Sequence, residues 1–275
     1  MSPNYCADQV RIHDRDRYLT ALFAPDSRRD ALFALYAFNL EISRVRETIS
    51  ERLIGEMRLQ WWRDALDAIY GGGKPPAHPV ADALASAIRA HQLERTLFDR
   101  LIDARAFDLD DAPPDDLPAL IGYARDTSAT LVQLALGVLE ASEAGAAAEG
   151  VGIAYALTGL LRAVPFHASQ KRLYLPLAVC EAAGVDTGRL FEMKPDENLR
   201  AAVKSVAVEA RAHLARARSH APPRRALAAL LPAVIAETAL NRLERAGFDP
   251  FDSRAARSGG LLPLTLAWRA KRGRF

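Results

Sequence analysis

The chain has 275 residues, 50% hydrophobic and 25% charged, enough apolar material for a large buried core in one domain or two closely packed halves. With 36 basic against 34 acidic residues the formal net charge is only +2, which leaves no global field to draw the chain onto nucleic acid or a membrane. Two cysteines, Cys6 and Cys180, stand far apart in no metal-ligand spacing and predict free thiols in a reducing compartment.

In chain order, Met1-Ser2-Pro3-Asn4-Tyr5 lacks the basic stretch and apolar core of a secretory signal. A start at Met1 without a targeting pattern, in a chain rich in Ala and Arg, predicts a bacterial cytoplasmic protein. Pro25 opens a helix that carries Leu32, Leu35, Tyr36, Asn39 and Ile42 at spacings of three and four. The next periodic run, Ile54, Met57, Trp61, Ala65, Leu66 and Ile69, closes at the linker Gly71-Gly72-Gly73-Lys74-Pro75-Pro76, and Pro79 sits in the first turn of another helix. Residues 110–118 form the next break. Both connections read as surface loops open to protease, and Asp103 and Asp108, with Arg105 between them, read as exposed charges at a helix end.

Further helices are predicted over residues 117–141, 146–164, 196–219 and 227–246. The most apolar runs, residues 129–139 and 151–161, each span about half of the roughly 20 residues that a membrane helix needs, and read as buried core helices. The chain ends on Leu261, Leu262, Leu264, Leu266 and Trp268 followed by Arg269, Lys271, Arg272 and Arg274. Residues 261–275 are therefore set apart from a helical domain of residues 1–260, as a basic, apolar tail that touches a membrane surface or as a last helix with a solvated end. Strand-like alternation is nearly absent, so the fold class is all-α, a single large helical bundle.

The chemistry-bearing residues are sparse. No glycine-rich phosphate loop or Gly-x-Ser-x-Gly elbow is present, and Arg211, Arg216 and Arg218 share one predicted helix without the interleaved aromatics of a nucleic-acid binder. Residues 150–180 contain no Asp or Glu. Glu41 and Glu47 lie six apart, on different helix faces, with Arg44 and Arg46 between them. Arg44, Arg46 and Glu47 read as a solvated charged face. Turned inward, the same arginines would suit a phosphate without a metal, because a guanidinium matches that geometry directly. His167 has no second His or Cys at helical spacing, which leaves zinc unsupported and predicts a hydrogen-bonded structural histidine. Pro165, just before it, bends or ends its helix.

Leu35-Tyr36-Ala37-Phe38 after Arg28-Arg29, Gln60-Trp61-Trp62-Arg63-Asp64-Ala65-Leu66-Asp67, His78-Pro79-Val80 and Arg172-Leu173-Tyr174-Leu175-Pro176 occur in an order and at intervals that resemble the squalene/phytoene synthase family. The resemblance implies a helical bundle of the isoprenoid synthase type with a central cavity. Two aspartate-rich helices facing that cavity would hold Mg2+ and two prenyl diphosphates, as a hard ion with oxygen ligands requires. Alignment on these blocks places the first aspartate-rich motif on residues 43–47, where only Glu47 is a carboxylate. It places the aspartates of the second on Ala163 and His167. Arg172 and Tyr174 match family positions near the diphosphate, whereas Trp61 and Trp62 pack the bundle.

Phe38-Asn39-Leu40-Glu41, Arg58-Leu59-Gln60-Trp61-Trp62 and Arg162-Ala163-Val164-Pro165-Phe166-His167 are similar to a branch of the family without those aspartates, the respiratory complex I assembly factors of mitochondria and alphaproteobacteria. That similarity implies a non-catalytic factor that assists assembly of NADH:quinone oxidoreductase. It would use no cofactor, have a complex I subunit or assembly intermediate as its partner, and work in the cytoplasm with contact at the inner face of the membrane. The remnant pocket would comprise Tyr36, Glu41, Arg44, Glu47, Arg162, His167, Arg172 and Tyr174, with no catalytic residue and no metal ligand among them. Two alternatives stay open. One is an active head-to-head prenyltransferase on farnesyl or geranylgeranyl diphosphate, using Mg2+ with Glu41, Glu47, Arg172 and Tyr174. The other is a module that holds an isoprenoid or another lipid without reacting it.

Overall fold

Helix boundaries fall where the sequence supplies caps and breakers. The computed structural model describes residues 5–49, 51–110, 112–256 and 260–275, and no strand occurs among the described residues. Residues 1–4, where the signal-peptide reading begins, and Asp111 in the predicted acidic break lie outside the described residues. The first half comprises α1 (Tyr5–His13), α2 (Arg15–Ala21), α3 (Asp26–Ser43), α4 (Arg52–Tyr70), α5 (Pro79–His91) and α6 (Arg95–Ala106). Next, α7 (Leu117–Ala124) runs through a π turn at Arg125–Ala129 into α8 (Thr130–Val138). The rest is α9 (Gly145–Arg162), α10 (Val164–Ser169), α11 (Leu177–Ala183), α12 (Thr187–Phe191), α13 (Glu197–Arg218), α14 (Leu227–Leu230), α15 (Pro232–Arg245), α16 (Ser253–Ala256) and α17 (Leu262–Lys271).

Local chemistry explains most of these limits. Asp196 starts α13 by accepting a hydrogen bond from the Leu199 N–H at 2.9 Å, and Asp116 does the same for α7 through Ala119 at 2.8 Å. Two segments predicted as single helices are interrupted. Residues 117–141 contain the π turn, and residues 227–246 divide at Leu231 with a bend of 44°. Pro232 has no N–H to donate to the carbonyl one turn back, which breaks the ladder there. The acidic connection lies at the surface, as expected, with Asp110, Ala112, Asp115 and Asp116 exposed, and it is also docked. The carbonyls of Pro114 and Asp115 accept from the Leu177 and Ala178 N–H groups at 2.9 and 3.0 Å, and so cap the first turn of α11.

Helix α9 occupies the centre, packed by α13, α15, α8, α7 and the π turn. It is long and apolar enough to cross a membrane, yet most of it is buried within the protein, as expected of a core helix. Its small residues set the approach of its neighbours. A Cβ on Gly152 would lie 2.3 Å from the Ala129 Cα, and one on Gly150 would lie 2.7 Å from the His213 carbonyl oxygen. On the other side, Phe38 of α3 makes edge contacts with Trp62 of α4 and Phe98 of α6, at centroid distances of 5.1 and 5.5 Å. Burying each such ring stabilises the fold by about 2 to 3 kcal/mol. Cys6 and Cys180 are buried free thiols, and burial pushes both up to about 11.

Candidate functional site

Asp108 lies in a short 3-10 turn directly after α6, and its carboxylate is buried. This corrects the expectation that it is an exposed charge. Asp103, one turn earlier, does face solvent, where it pairs with Arg63 at 2.8 Å. Asp108 Oδ2 accepts from Arg105 Nη1 at 3.0 Å, while Oδ1 accepts from the hydroxyls of Tyr123 at 2.7 Å and Tyr174 at 3.1 Å. Its main-chain oxygen accepts from Arg172 Nη2 at 2.8 Å. Burial pushes the Tyr123 and Tyr174 phenols well above their ordinary range, so both remain protonated donors. A buried carboxylate tolerates its desolvation only with such a full set of partners.

His167 of α10 packs on Tyr174 with ring centroids 4.5 Å apart, and its buried Nδ1 has no hydrogen-bond partner. The structure thus differs from the hydrogen-bonded histidine expected. Burial and then the nearby Arg172 lower its pKa, against the opposing Asp108, to about 4. The imidazole is neutral at physiological pH.

A second buried ion pair lies between α2 and α9. Asp14 caps α2 by accepting from the Arg17 N–H at 3.0 Å, and its other oxygen meets Arg17 Nη1 at 2.6 Å. The guanidinium lies 4.9 Å from the centroid of the Tyr155 ring. Burial disfavours the Arg17 charge, but Asp14, Tyr155 and Tyr36 together outweigh it and keep the group above its usual range. Tyr36 adjoins this pair, and burial pushes its phenol up to about 12.

Between these pairs lies a cavity of about 220 Å3, lined by Arg17, Arg105, Tyr123, Ser128, Tyr155, Arg162 and the first turn of α15. It has room for about seven waters at ~30 Å3 each. Each arginine at its wall has an aspartate of its own. Arg17 has Asp14, Arg105 has Asp108, and Arg162 has Asp16 at 3.5 Å. The cations of the chamber are therefore charge-compensated, and the rest of its wall is largely apolar, with Ala156, Leu160, Ile235 and Ala236.

The eight residues singled out from the sequence are not brought together. His167, Arg172 and Tyr174 surround Asp108, Arg162 lines the cavity, and Tyr36 lies behind the Arg17 pair. Glu41 lines outer hollows with Trp61, His78 and Arg58. Arg44 pairs with Glu47 at 3.4 Å, where both side chains are more than 40% exposed, which is the solvated charged face. Trp62 is buried in the bundle.

The positions to which the resemblance assigns the Mg2+ ligands carry few oxygen donors. Ala163 has no side-chain donor, His167 is a nitrogen base, and Glu47 already faces Arg44. Among the described residues no three His, Cys, Asp or Glu side chains form a group that could hold a metal ion. Helix α9 also stops at Arg162, because Pro165 gives no N–H to the Leu161 carbonyl.

The sequence profile of squalene/phytoene synthases matches residues 10–265. The chain belongs to the squalene/phytoene synthase family. Within it, the chain is 36% identical to the bovine NADH dehydrogenase (ubiquinone) complex I assembly factor 6 over 97% of its own length and 82% of that protein. It is 28% identical to a presqualene diphosphate synthase of Sinorhizobium fredii over 72% of its length and 71% of that enzyme. A crystal structure of a dehydrosqualene synthase with a ligand superposes with a TM-score of 0.85, at 21% identity, over 98% of this chain and 94% of that one. The fold is accordingly the helical bundle of this family.

Sequence reasoning missed Asp108, Arg105, Tyr123 and the Asp14, Arg17 and Tyr155 group. A signal was present for the first: Asp108 stands between Phe107 and Leu109, one turn after Arg105. An acid flanked by apolar residues at a helix end is placed for burial with a partner. Nothing comparable marks Arg17, which lies among the charged residues Asp14, Arg15 and Asp16.

Proposed function

We propose that this squalene/phytoene synthase relative acts as a non-catalytic factor in the assembly of respiratory complex I. The observation that carries the reading is the use made of Asp108. Its two carboxylate oxygens are taken by Arg105, Tyr123 and Tyr174, so the buried acid behind the chamber wall serves the protein's own architecture. The near full-length similarity to the bovine assembly factor supports the same direction. The partner is a complex I subunit or assembly intermediate, met in the cytoplasm at the inner face of the membrane.

The prenyltransferase alternative needs Glu41, Glu47, Arg172 and Tyr174 to act on substrate, and three of these, Glu47, Tyr174 and Arg172, already bond within the protein.

The test removes the gene from its native host and follows assembled complex I on native gels together with NADH oxidation by isolated membranes. Loss of both, restored by the intact chain, is the expected result. The purified protein is also incubated with labelled farnesyl and geranylgeranyl diphosphate, Mg2+ or Mn2+, and NADPH, with no diphosphate release expected. Turnover above a heat-killed control, or normal complex I without the gene, would overturn the proposal.

A further inference from the structure

The seam that holds α17 is narrow and leaves most of the helix uncovered. Leu266 is fully buried against Leu231, Val234 and Ile235, with Leu262 and Ala270 beside it. These three, four residues apart, form a single stripe on one side of the helix. The end is tied down as well. Arg269 pairs with Glu237 at 2.8 Å, Arg218 donates to the Phe275 carbonyl oxygen at 2.9 Å, and Phe275 is buried.

The opposite stripe is apolar and faces solvent. Leu261, Leu264 and Trp268 are 70%, 67% and 49% exposed and lie at the spacing of one helix face. Arg272 continues that stripe by another turn, with its guanidinium 4.0 Å over the centroid of the Trp268 ring. Exposed Lys271 and Arg274 flank it, and residues 260–275 contain no Asp or Glu. Arg224, which donates to the Lys271 carbonyl oxygen at 3.2 Å, adds another cation beside the helix end.

We propose that this face of α17 docks flat onto an anionic phospholipid surface. Leucine side chains in line with a tryptophan, bordered by cations and by no acid of residues 260–275, complement acyl chains topped by negatively charged headgroups. Lysine is depleted from protein interfaces, whereas exposed Lys271 borders this stripe. Because the other side of α17 is fixed to α15, docking would hold the body at a set orientation on the bilayer instead of trailing it on a flexible tail. This inference is independent of the assembly reading, since vesicle binding is measured without complex I.

The test uses the full chain in sedimentation with vesicles of phosphatidylcholine alone and of phosphatidylcholine with phosphatidylglycerol. Binding to the anionic vesicles only, weakening as salt rises, is expected. The triple variant Lys271→Glu, Arg272→Glu, Arg274→Glu and the triple variant Leu261→Ser, Leu264→Ser, Trp268→Ser should each lose roughly tenfold or more in affinity, while their thermal midpoints stay at the parent value. Quenching of tryptophan fluorescence by lipids brominated in the acyl chain should disappear in Trp268→Phe, which leaves Trp61 and Trp62 in place. Absence of binding to anionic vesicles, or unchanged binding by either triple variant, would overturn the proposal. In the first case an acidic protein surface becomes the occupant to pursue.

Discussion

Tyr174 Oη lies 3.1 Å from Asp108 Oδ1, 66 residues away in the chain, and so joins the loop before α11 to the end of α6. The same oxygen takes the Tyr123 hydroxyl from α7, and the other takes Arg105. Three separate segments therefore depend on one buried carboxylate.

Asp108→Asn is expected to cost about 3 to 5 kcal/mol, because the amide would turn an N–H toward Arg105 and leave a buried guanidinium uncompensated. Asp103→Asn, at an exposed pair only, should cost less than about 1 kcal/mol. Urea unfolding followed by circular dichroism separates the two. Equal effects would contradict the burial of Asp108.

His167 gives the protein a defined acid sensitivity. Its pKa is about 4 when folded against 6.5 when unfolded, so between these values the unfolded chain binds the extra proton. Stability is intact above pH 6.5 and falls progressively as pH drops toward 4, by roughly 2 to 3 kcal/mol from this residue. His167→Gln cannot titrate and should show a smaller loss between pH 7 and pH 4.5 than the parent. The measurement is the denaturant midpoint of both proteins across that range, and parallel curves would refute the assignment.

Two glycines of α9 are expected to respond in opposite senses. Gly152→Ala places a methyl 2.3 Å from the Ala129 Cα and 2.6 Å from its nitrogen, so backbone must move, at a cost of about 3 kcal/mol. Gly159→Ala meets nothing within 4 Å and should stabilise the helix by about 0.5 to 1 kcal/mol. Calorimetric melting of each variant provides the check.

For the pair under Tyr155, Arg17→Met should cost about 3 kcal/mol by leaving Asp14 buried without its cation. Asp14→Ala loses the same pair and also the α2 cap, worth about a further 1 kcal/mol. The double variant should lose clearly less than the sum of the two, since the pair is removed only once. An additive cycle would show that the residues do not depend on each other.

The sequence was most readable where periodicity and breakers agree. Residues predicted as helical over 196–219 form α13 over Glu197–Arg218, because Asp196 supplies both the cap and the boundary signal. The interrupted helices were harder to foresee, since a π turn is one extra residue per turn and leaves the apolar pattern of Leu131, Leu134 and Ala135 almost unchanged. The loss of the aspartates could be read directly from Ser43, Ala163 and His167. What replaced them could not, because Arg17, Arg105 and Asp108 come from segments that look like ordinary charged helix ends until they fold toward one another.

The break between α9 and α10 works as a ratchet. Ala163 sits at the junction, and Pro165 holds the chain out of a continuous helix. An aspartate regained at position 163 or 167 by a single change would arrive on a backbone no longer shaped to aim it, with one lone carboxylate and no partner for a shared cation. Reversal requires the proline, both aspartates and the opposite wall to change together.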